Sequence, residues 1–544
     1  MSELAHRAVP ADLAAEYQAR GWWTDHSLGS LLARGLADAP ASAFRVYSSA
    51  HPWSGTTGQV ADGARRLAGG LRARGIGAGD LVAFQLPNWA EAAMTLWAVT
   101  LLGAVPVPIV HFYGPKEVGF ILAQSGARAL VTADRFGHLD FLDTIESLWP
   151  GLPALETVAV VAAGPDDMPL PPSALPFAAL LDSGPVPEPA AVDPAGPALV
   201  AYTSGTTADP KGVVHTHRSI GFEIRQLAAL QPAGALPSLV GAPVGHGIGM
   251  LAALLLPVQR REPIHLIDLW DPARVLAVMA EDRLSSGTGA TFFLTSLLDH
   301  PDFTDEHRRL MPFIGLGGAA VPATVADRAD ALGISLVRLY GSTEHPSVTG
   351  SVHGDPRPAR LYTDGAALKG VELRLDDEAG RPVGAGQPGE IVTRGPDCCL
   401  GYTDAGLTAA AFDANGWFTT GDVGVLDEGG RLRIVDRKKD IIIRGGENIS
   451  ALEVEVALST LSGVAEAAVV AAPDERLGEH ACAFFRLRPT AEAPDLDRVR
   501  AHLAAEGLAR QKWPEELRVV DDFPRTPSGK VQKFALREEL RRDS

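Results

Sequence analysis

Cysteine is scarce, with three in 544 residues: Cys398 and Cys399 are adjacent and Cys482 stands apart. Thiols so few and so placed build neither a disulfide framework nor a zinc site, and they suit a reducing cytoplasm. Positive charge is short as well. A formal net charge of −18 weighs against nucleic acid or an anionic membrane as the main partner, although a local basic pocket can still attract an anion. No apolar run reads as a membrane span. The longest, at 92–110, contains Gly103, Pro106 and Pro108 and reads as a helix followed by a buried strand. The opening MSELAHRAVPADL holds no apolar stretch behind a basic start, so no secretory signal is expected. No repeat recurs at a solenoid period. Lysine is rare too, 8 against 40 arginines, so a lysine can mark a place that needs a movable point charge rather than a planar fork.

What is present is the composition of a globular protein: 46% hydrophobic and 21% charged residues, with a mean hydropathy of +0.07. A chain of this length predicts about three or four compact units. From 57 to 150 helical and strand-like patterns alternate. The stretch 60–75 has helical spacing, 81–85 (LVAFQ) is a strand, and a helix follows from Trp89. This is α/β texture. The segment 164–197, rich in proline and alanine, reads as a surface connection into a strand at 198–202.

That strand leads into YTSGTTADPKG (202–212), dense in hydroxyls and glycine, with one lysine and a helical pattern after it. Backbone N–H groups, hydroxyl donors and an ammonium together favour an anion with several oxygens, phosphate above all. Taken alone, such a loop is more often a solvated connection. A nucleotide triphosphatase P-loop would end Gly-Lys-Ser/Thr, whereas here Pro210 precedes Lys211 and Gly212 follows. Further on, 423–426 and 431–435 flank DEGG (427–430), a hairpin signal, and the charged run DRKKD (436–440) follows. A charged run is usually a solvated face; this one separates two textures and predicts a hinge and domain boundary at Asp436, dividing 1–435 from 436–544. SALE (450–453) predicts a capping box opening a helix to about 461.

Several segments, in this order, resemble the adenylate-forming (ANL) superfamily of acyl-CoA synthetases, adenylation domains and luciferases. They are YTSGTTADPKG, APVGHGIGM (242–250), GLGGAAVP (315–322), YGSTEHP (340–346), GWFTTGDVG (416–424), DRKKDIIIRGGENIS (436–450) and PRTPSGKVQK (524–533). Together they cover nearly the whole chain and are very specific. One departure is Ala208, where the family more often has glycine. The resemblance implies an α/β fold, with a large N-terminal domain of α/β subdomains plus a β-barrel-like part and a small mobile α+β C-terminal domain. It also implies ATP/AMP, Mg2+ and coenzyme A as ligands.

Activating a carboxylate with AMP crowds two anions together, so cations must face the oxygens where charge builds. The resemblance gives that catalytic work to Lys530, Glu344, Thr206 and Lys211, with Glu344 as the Mg2+ ligand. Nucleotide contacts fall on Thr203, Ser204, Gly205 and Thr207, and on Gly341, Ser342 and Thr343. Asp422 would accept from the ribose hydroxyls, and Arg437 would face ribose or phosphate. Gly317, Gly318 and Ala319 would lie along adenine, and Tyr340 would stack on it, with core packing nearly as good a reading for the tyrosine. For the thiol step the small domain would rotate about Asp436, withdrawing Lys530 and bringing in the loop with Gly445, Gly446 and Glu447.

The acyl pocket is expected around His246, Gly249, Met250, Gly315, Phe292, Phe293 and Ser347. His246 reads better as a pocket wall or gate than as a base, because adenylation needs none. No Asp or Glu falls within 241–250, which argues for an uncharged acyl group, since an amino acid's ammonium would need a buried anion. The stretch YGSTEHPSVTG is most similar to ligases for cyclic, aromatic or medium-chain acids. Rival expectations are an adenylate passed to a carrier protein, an amine or nitrite, and an inactive nucleotide-binding regulator on the same fold. A homodimer is compatible with all of these.

Overall fold

A computed structural model describes residues 7–164, 169–203, 210–232, 234–318, 321–444, 447–474, 476–525 and 530–543. Ser204, Gly205, Thr206, Thr207, Ala319, Gly445 and Gly446 lie outside the described residues. A large N-terminal domain and a small C-terminal one are built from separate sheets.

The alternating pattern near the start folds into a parallel sheet in the spatial order Val105–Ile109, Leu81–Gln85, Ala129–Ala133, Thr157–Val161, Leu175–Pro176. Central strands of such a sheet are covered on both faces, so Ala129–Ala133 and Thr157–Val161 are buried without alternation. Thr57–Ala73 and Ala90–Leu101 are helices. The first opens on a reciprocal capping box between Thr56 and Gln59. Trp89 immediately precedes the second, as expected, and its indole and that of Trp97 are fully buried. A second sheet joins Ala43–Tyr47 to Ile264–Ile267 in parallel, and a third joins Phe313–Gly317 to Ser335–Tyr340 in parallel.

The segment expected as a surface connection is only partly one. Phe177–Leu181 forms a short helix that buries Phe177 and Leu180, because its five-residue apolar run FAALL finds the core that the surrounding prolines do not. The chain after the hydroxyl-rich loop also differs from the strand-to-helix reading. Lys211–Thr216 is a strand, antiparallel to Pro197–Thr203, before the helix His217–Leu230 begins. Val213 and Val214 favour a pleated surface, and the Thr216 hydroxyl caps the helix by accepting from Ser219 N–H.

An antiparallel sheet of Glu372–Asp376, Pro388–Arg394, Phe418–Leu426 and Leu432–Arg437 follows. Its hairpin forms at 427–430, where the Asp427 carboxylate accepts from Gly429 and Arg431 N–H. The small domain carries Ile442–Arg444, Glu447–Ile449, Val464–Asp474, Gly478–Leu487 and Glu516–Val519 in one sheet. Its helix Ala451–Leu458 is capped by Ser450, whose hydroxyl accepts from Glu453 N–H at 3.0 Å. The Glu453 side chain pairs with Lys512, so half of the expected box is seen, and the helix ends three residues early. Cys398, Cys399 and Cys482 are free and buried. No helix among the described residues is long and apolar enough to cross a membrane.

Candidate active site

The hairpin made by Pro197–Thr203 and Lys211–Thr216 brings the two ends of the hydroxyl-rich loop side by side, with Thr203 opposite Lys211. The strand Gly401–Tyr402 pairs next to it, Tyr402 opposite Val213. Tyr402 therefore sits beside Lys211, whose Nζ lies 5.5 Å from the centre of the phenol ring. The Tyr402 hydroxyl donates to Glu344 Oε1 at 2.7 Å. Burial, reinforced by the Glu344 carboxylate, pushes the phenol far above its ordinary range, so it remains a donor. One aromatic ring thus fixes a carboxylate at its edge and an ammonium over its face.

Glu344 projects from a turn at 341–347 that is tightly determined. A Cβ on Gly341 would lie 1.8 Å from the Pro346 carbonyl oxygen, so only glycine closes this turn. Ser342 N–H donates to His345 O, His215 Nε2 donates to Thr343 O at 2.7 Å, and Cys399 N–H donates to Glu344 O. His345 is buried. It bonds Thr393 through Nδ1 at 2.9 Å and Asp397 through Nε2 at 3.2 Å. Burial opposes its charge, yet Asp397 and other acidic neighbours outweigh it and raise the imidazole to about 9.

Asp422 and Arg437 face each other across the last hairpin, with Arg437 Nε 3.1 Å from Asp422 Oδ1. Tyr340 donates to Asp422 Oδ2 at 2.8 Å, and its ring is buried in the cluster with Val348, Leu368 and Leu375. Asp436 is held from both sides. Its backbone pairs with Val423 of the large domain, while Oδ2 accepts from Ser450 Oγ at 3.0 Å and Leu452 N–H at 3.1 Å at the head of a small-domain helix. Lys530, from the far end of the chain, lies within the field of Arg437, Asp422, Glu344 and Lys439. Burial, followed by the Arg437 charge, lowers its ammonium to about 8. His246 also feels Lys530; burial first and that charge second bring the imidazole down to about 4. Its Nδ1 accepts from Ile248 N–H at 3.4 Å, which leaves the neutral ring's proton on Nε2.

Gly249 and buried Met250 lie on the helix that His246 opens. A Cβ on Gly249 would meet Pro243 O at 2.1 Å. Gly315 and Gly317 lie on Phe313–Gly317, and Gly318 lies beside Ile248. Phe292 is half exposed while Phe293 packs edge-on against Trp270 at 4.6 Å. Glu447 is exposed in the hairpin opposite Arg444, which is ion-paired with Glu515. Among the described residues Asp474, His480 and Glu515 can present ligand atoms within 4.8 Å of one another, but the Arg444 guanidinium already occupies Glu515.

Sequence reasoning missed three partners. Tyr402 carries no motif signal, because its place depends on a strand pairing with Val213. His345 and Asp397 meet over a separation of 52 residues. Ser347, expected at the pocket, is buried and donates to Glu223 Oε1 at 2.6 Å. The absence of acid within 241–250 had left this carboxylate out of the reckoning, since Glu223 comes from a different helix.

Among the described residues the site therefore brings Lys530 within the field of two fixed carboxylates, Glu344 and Asp422, with Lys211 beside the ring that holds Glu344. A family model described as AMP-binding enzyme matches residues 35–403, and one described as AMP-binding enzyme C-terminal domain matches 453–530. A medium-chain fatty-acid–CoA ligase of Escherichia coli (strain K12) is 34% identical over 97% of this chain and 93% of its own. A feruloyl-CoA synthase of Amycolatopsis sp is 32% identical over 94% of this chain and 99% of its own. Among solved structures, an anthranilate CoA ligase in complex with anthranoyl-AMP superposes with a TM-score of 0.85 at 25% identity, covering 95% of this chain and 98% of that one. The chain belongs to the AMP-binding enzyme family, within its acyl-CoA synthetase branch. It is an AMP-forming acid–thiol ligase that uses ATP, Mg2+ and coenzyme A.

Proposed function

We propose that the chain ligates a cyclic, aromatic or medium-chain carboxylic acid to coenzyme A in the cytoplasm, and that Lys530, Glu344, Lys211, Asp422 and Arg437 carry the first half-reaction. The observation that carries this reading is the convergence of Lys530 on Glu344, Asp422 and His246. A carboxylate oxygen attacks the α-phosphorus of ATP, the bond to pyrophosphate breaks, and an acyl-adenylate forms. The thiol of coenzyme A then attacks the acyl carbon, and AMP leaves with the oxygen that joined it. Lys530 brings one point charge to the two anions that must meet. Lys211, with Thr203 opposite it, receives the leaving phosphates. Asp422 accepts from the ribose hydroxyls, because each of its oxygens keeps a lone pair beyond those given to Tyr340 and Arg437.

Glu344 fits Mg2+, a hard cation that takes oxygen from one or two carboxylates and from phosphates, because Tyr402 fixes the carboxylate through one oxygen. Held by Glu344 with the triphosphate, Mg2+ would supply positive charge to the phosphoryl oxygens. His246 is neutral and serves as a wall of the acyl site. Asp436, tied by its backbone to one domain and by its side chain to the other, is the hinge about which Lys530 withdraws and the 444–448 hairpin approaches for the thiol step. The domains are accordingly 1–435 and 436–544.

The test is pyrophosphate release across a panel of acids, with and without coenzyme A, with mass spectrometry of the products. Acyl-CoA formation from one group of ring or medium-chain acids is expected. An adenylate indifferent to coenzyme A, and passed instead to a carrier protein, an amine or nitrite, would overturn the choice of acceptor.

A further inference from the structure

A cavity of about 190 Å³ lies among three helices of the large domain and shares no lining residue with the site around Lys530. Its walls come from Leu28–Asp38, the later half of His217–Leu230 and the end of Leu256–Arg260. The helices are pressed together at glycines. A Cβ on Gly35 would stand 2.7 Å from the Val258 carbonyl oxygen, and one on Gly221 would stand 3.2 Å from Leu31 Cδ1 and 3.5 Å from Arg225 Nη1. The walls are therefore fixed, and a leucine and a guanidinium share the floor.

Arg34, Arg225 and Arg261 line this cavity, with Thr24 and Gln259 as neutral polar neighbours. Among the described residues no Asp or Glu lines it. Arg261 has a carboxylate of its own outside the lining, Asp38. Arg34 and Arg225 have no ion-pair partner among the described residues. Arg225 is also anchored: it is half-buried, and its Nη2 donates to Trp22 O at 2.5 Å. Burial, with no acid to oppose it, lowers its guanidinium below the ordinary arginine range. A cation held partly out of water without a counter-charge is costly, and an apolar side chain would pack beside Leu31 at less cost. In a chain of net charge −18, the lack of an acid at this place is conspicuous.

The cavity is smaller than the roughly 300–1,000 Å³ of sites for drug-sized ligands, so it suits a small ion. Guanidinium forks match the oxygens of a tetrahedral oxyanion, and two unanswered charges favour one that carries two of its own.

We propose that Arg34, Arg225 and Arg261 form an anion site, separate from the adenylation centre, that takes a phosphate-type dianion, either free phosphate or the phosphate end of a monoester. This goes beyond the ligase reading and does not depend on it.

The experiment follows thermal unfolding of the full chain while inorganic phosphate replaces chloride at constant ionic strength. Mg2+ and an ATP analogue with a methylene bridge between the α- and β-phosphorus are present throughout, so that the nucleotide site is already filled. A saturable rise in Tm is expected. The half-saturating phosphate concentration should increase about tenfold or more in Arg34→Ala and in Arg225→Ala, the scale of one lost charge-assisted bond. Arg34→Glu should abolish the rise, while its rate of pyrophosphate release with an accepted acid is unchanged. If Arg225→Ala does not fold, the two Arg34 variants decide, because Arg34 is exposed on its helix. Glycerol phosphate, titrated in parallel, separates the sources: tighter binding than phosphate assigns the site to a monoester, and weaker binding assigns it to the free ion. No saturable rise with either compound, or a rise unchanged in folded Arg34→Glu, would overturn the proposal.

Discussion

Replacing Tyr402 by phenylalanine deletes one oxygen and leaves the ring over which Lys211 sits, so it isolates the hydrogen bond to Glu344. Bonds to charged groups contribute about 1.5–3 kcal/mol, and Glu344 is only half-buried, so water can partly replace the donor and the lower end applies. At about 1.4 kcal/mol per decade, kcat/KM for MgATP should fall about tenfold. The half-saturating Mg2+ concentration should rise, because an unheld carboxylate pays the ordering cost at the moment the metal arrives. Tyr402→Leu also removes the ring face, which adds about 0.5–1 kcal/mol and a further loss of roughly two- to fivefold. Initial rates of pyrophosphate release, titrated in Mg2+ at fixed ATP, measure both effects, and KM for the acid serves as the internal control. A Tyr402→Phe enzyme with an unchanged Mg2+ response would refute the reasoning, as would a loss confined to KM for the acid.

Lys530→Ala should lower the adenylation rate by roughly 10²–10³, the scale of one lost transition-state cation or donor, while thioester formation from synthetic acyl-adenylate survives. Equal damage to both half-reactions, read in separate assays, would contradict the division of labour. The same lysine predicts a pH limb. Its ammonium is present below about 8 and lost above it in the nucleotide-free enzyme, so kcat/KM for ATP should decline as pH rises through that value. Bound triphosphate favours the ammonium, so the limb in kcat should lie at higher pH; identical limbs would count against the assignment. Gly341→Ala should abolish adenylation, because its Cβ would stand 1.8 Å from the Pro346 oxygen and the turn that carries Glu344 would open. Circular dichroism should show the secondary structure retained.

Local chemistry made much of the fold legible. The strand Leu81–Gln85, the helix beginning after Trp89 and the hairpin at 427–430 all follow from periodicity and turn residues within a few positions. What escaped depends on meetings across the chain. Val213 and Val214 form a local hairpin with Pro197–Thr203 that the strand-to-helix reading passed over, and their second partner, Gly401–Tyr402, comes from almost two hundred residues away, at a separation no local pattern encodes. Tyr402 and Glu344 are 58 positions apart, and Glu223 and Ser347 are 124 apart. Lys530 was legible for the opposite reason, since the segment PRTPSGKVQK resembles the superfamily's own and lysine is rare in this arginine-rich chain. The acid-free stretch 241–250 describes only one wall of a pocket that several segments close, and Glu223, from another helix, bonds Ser347.

Oxygen transfer tests the central claim most directly. With an accepted acid whose carboxylate is enriched in heavy oxygen, and with ATP and coenzyme A of normal isotopic composition, mass spectrometry of the products reads which bonds formed. Attack of the carboxylate on the α-phosphorus predicts one heavy oxygen in AMP, one in the acyl thioester and none in pyrophosphate. Heavy oxygen in pyrophosphate or free phosphate, or AMP without it, would contradict the account.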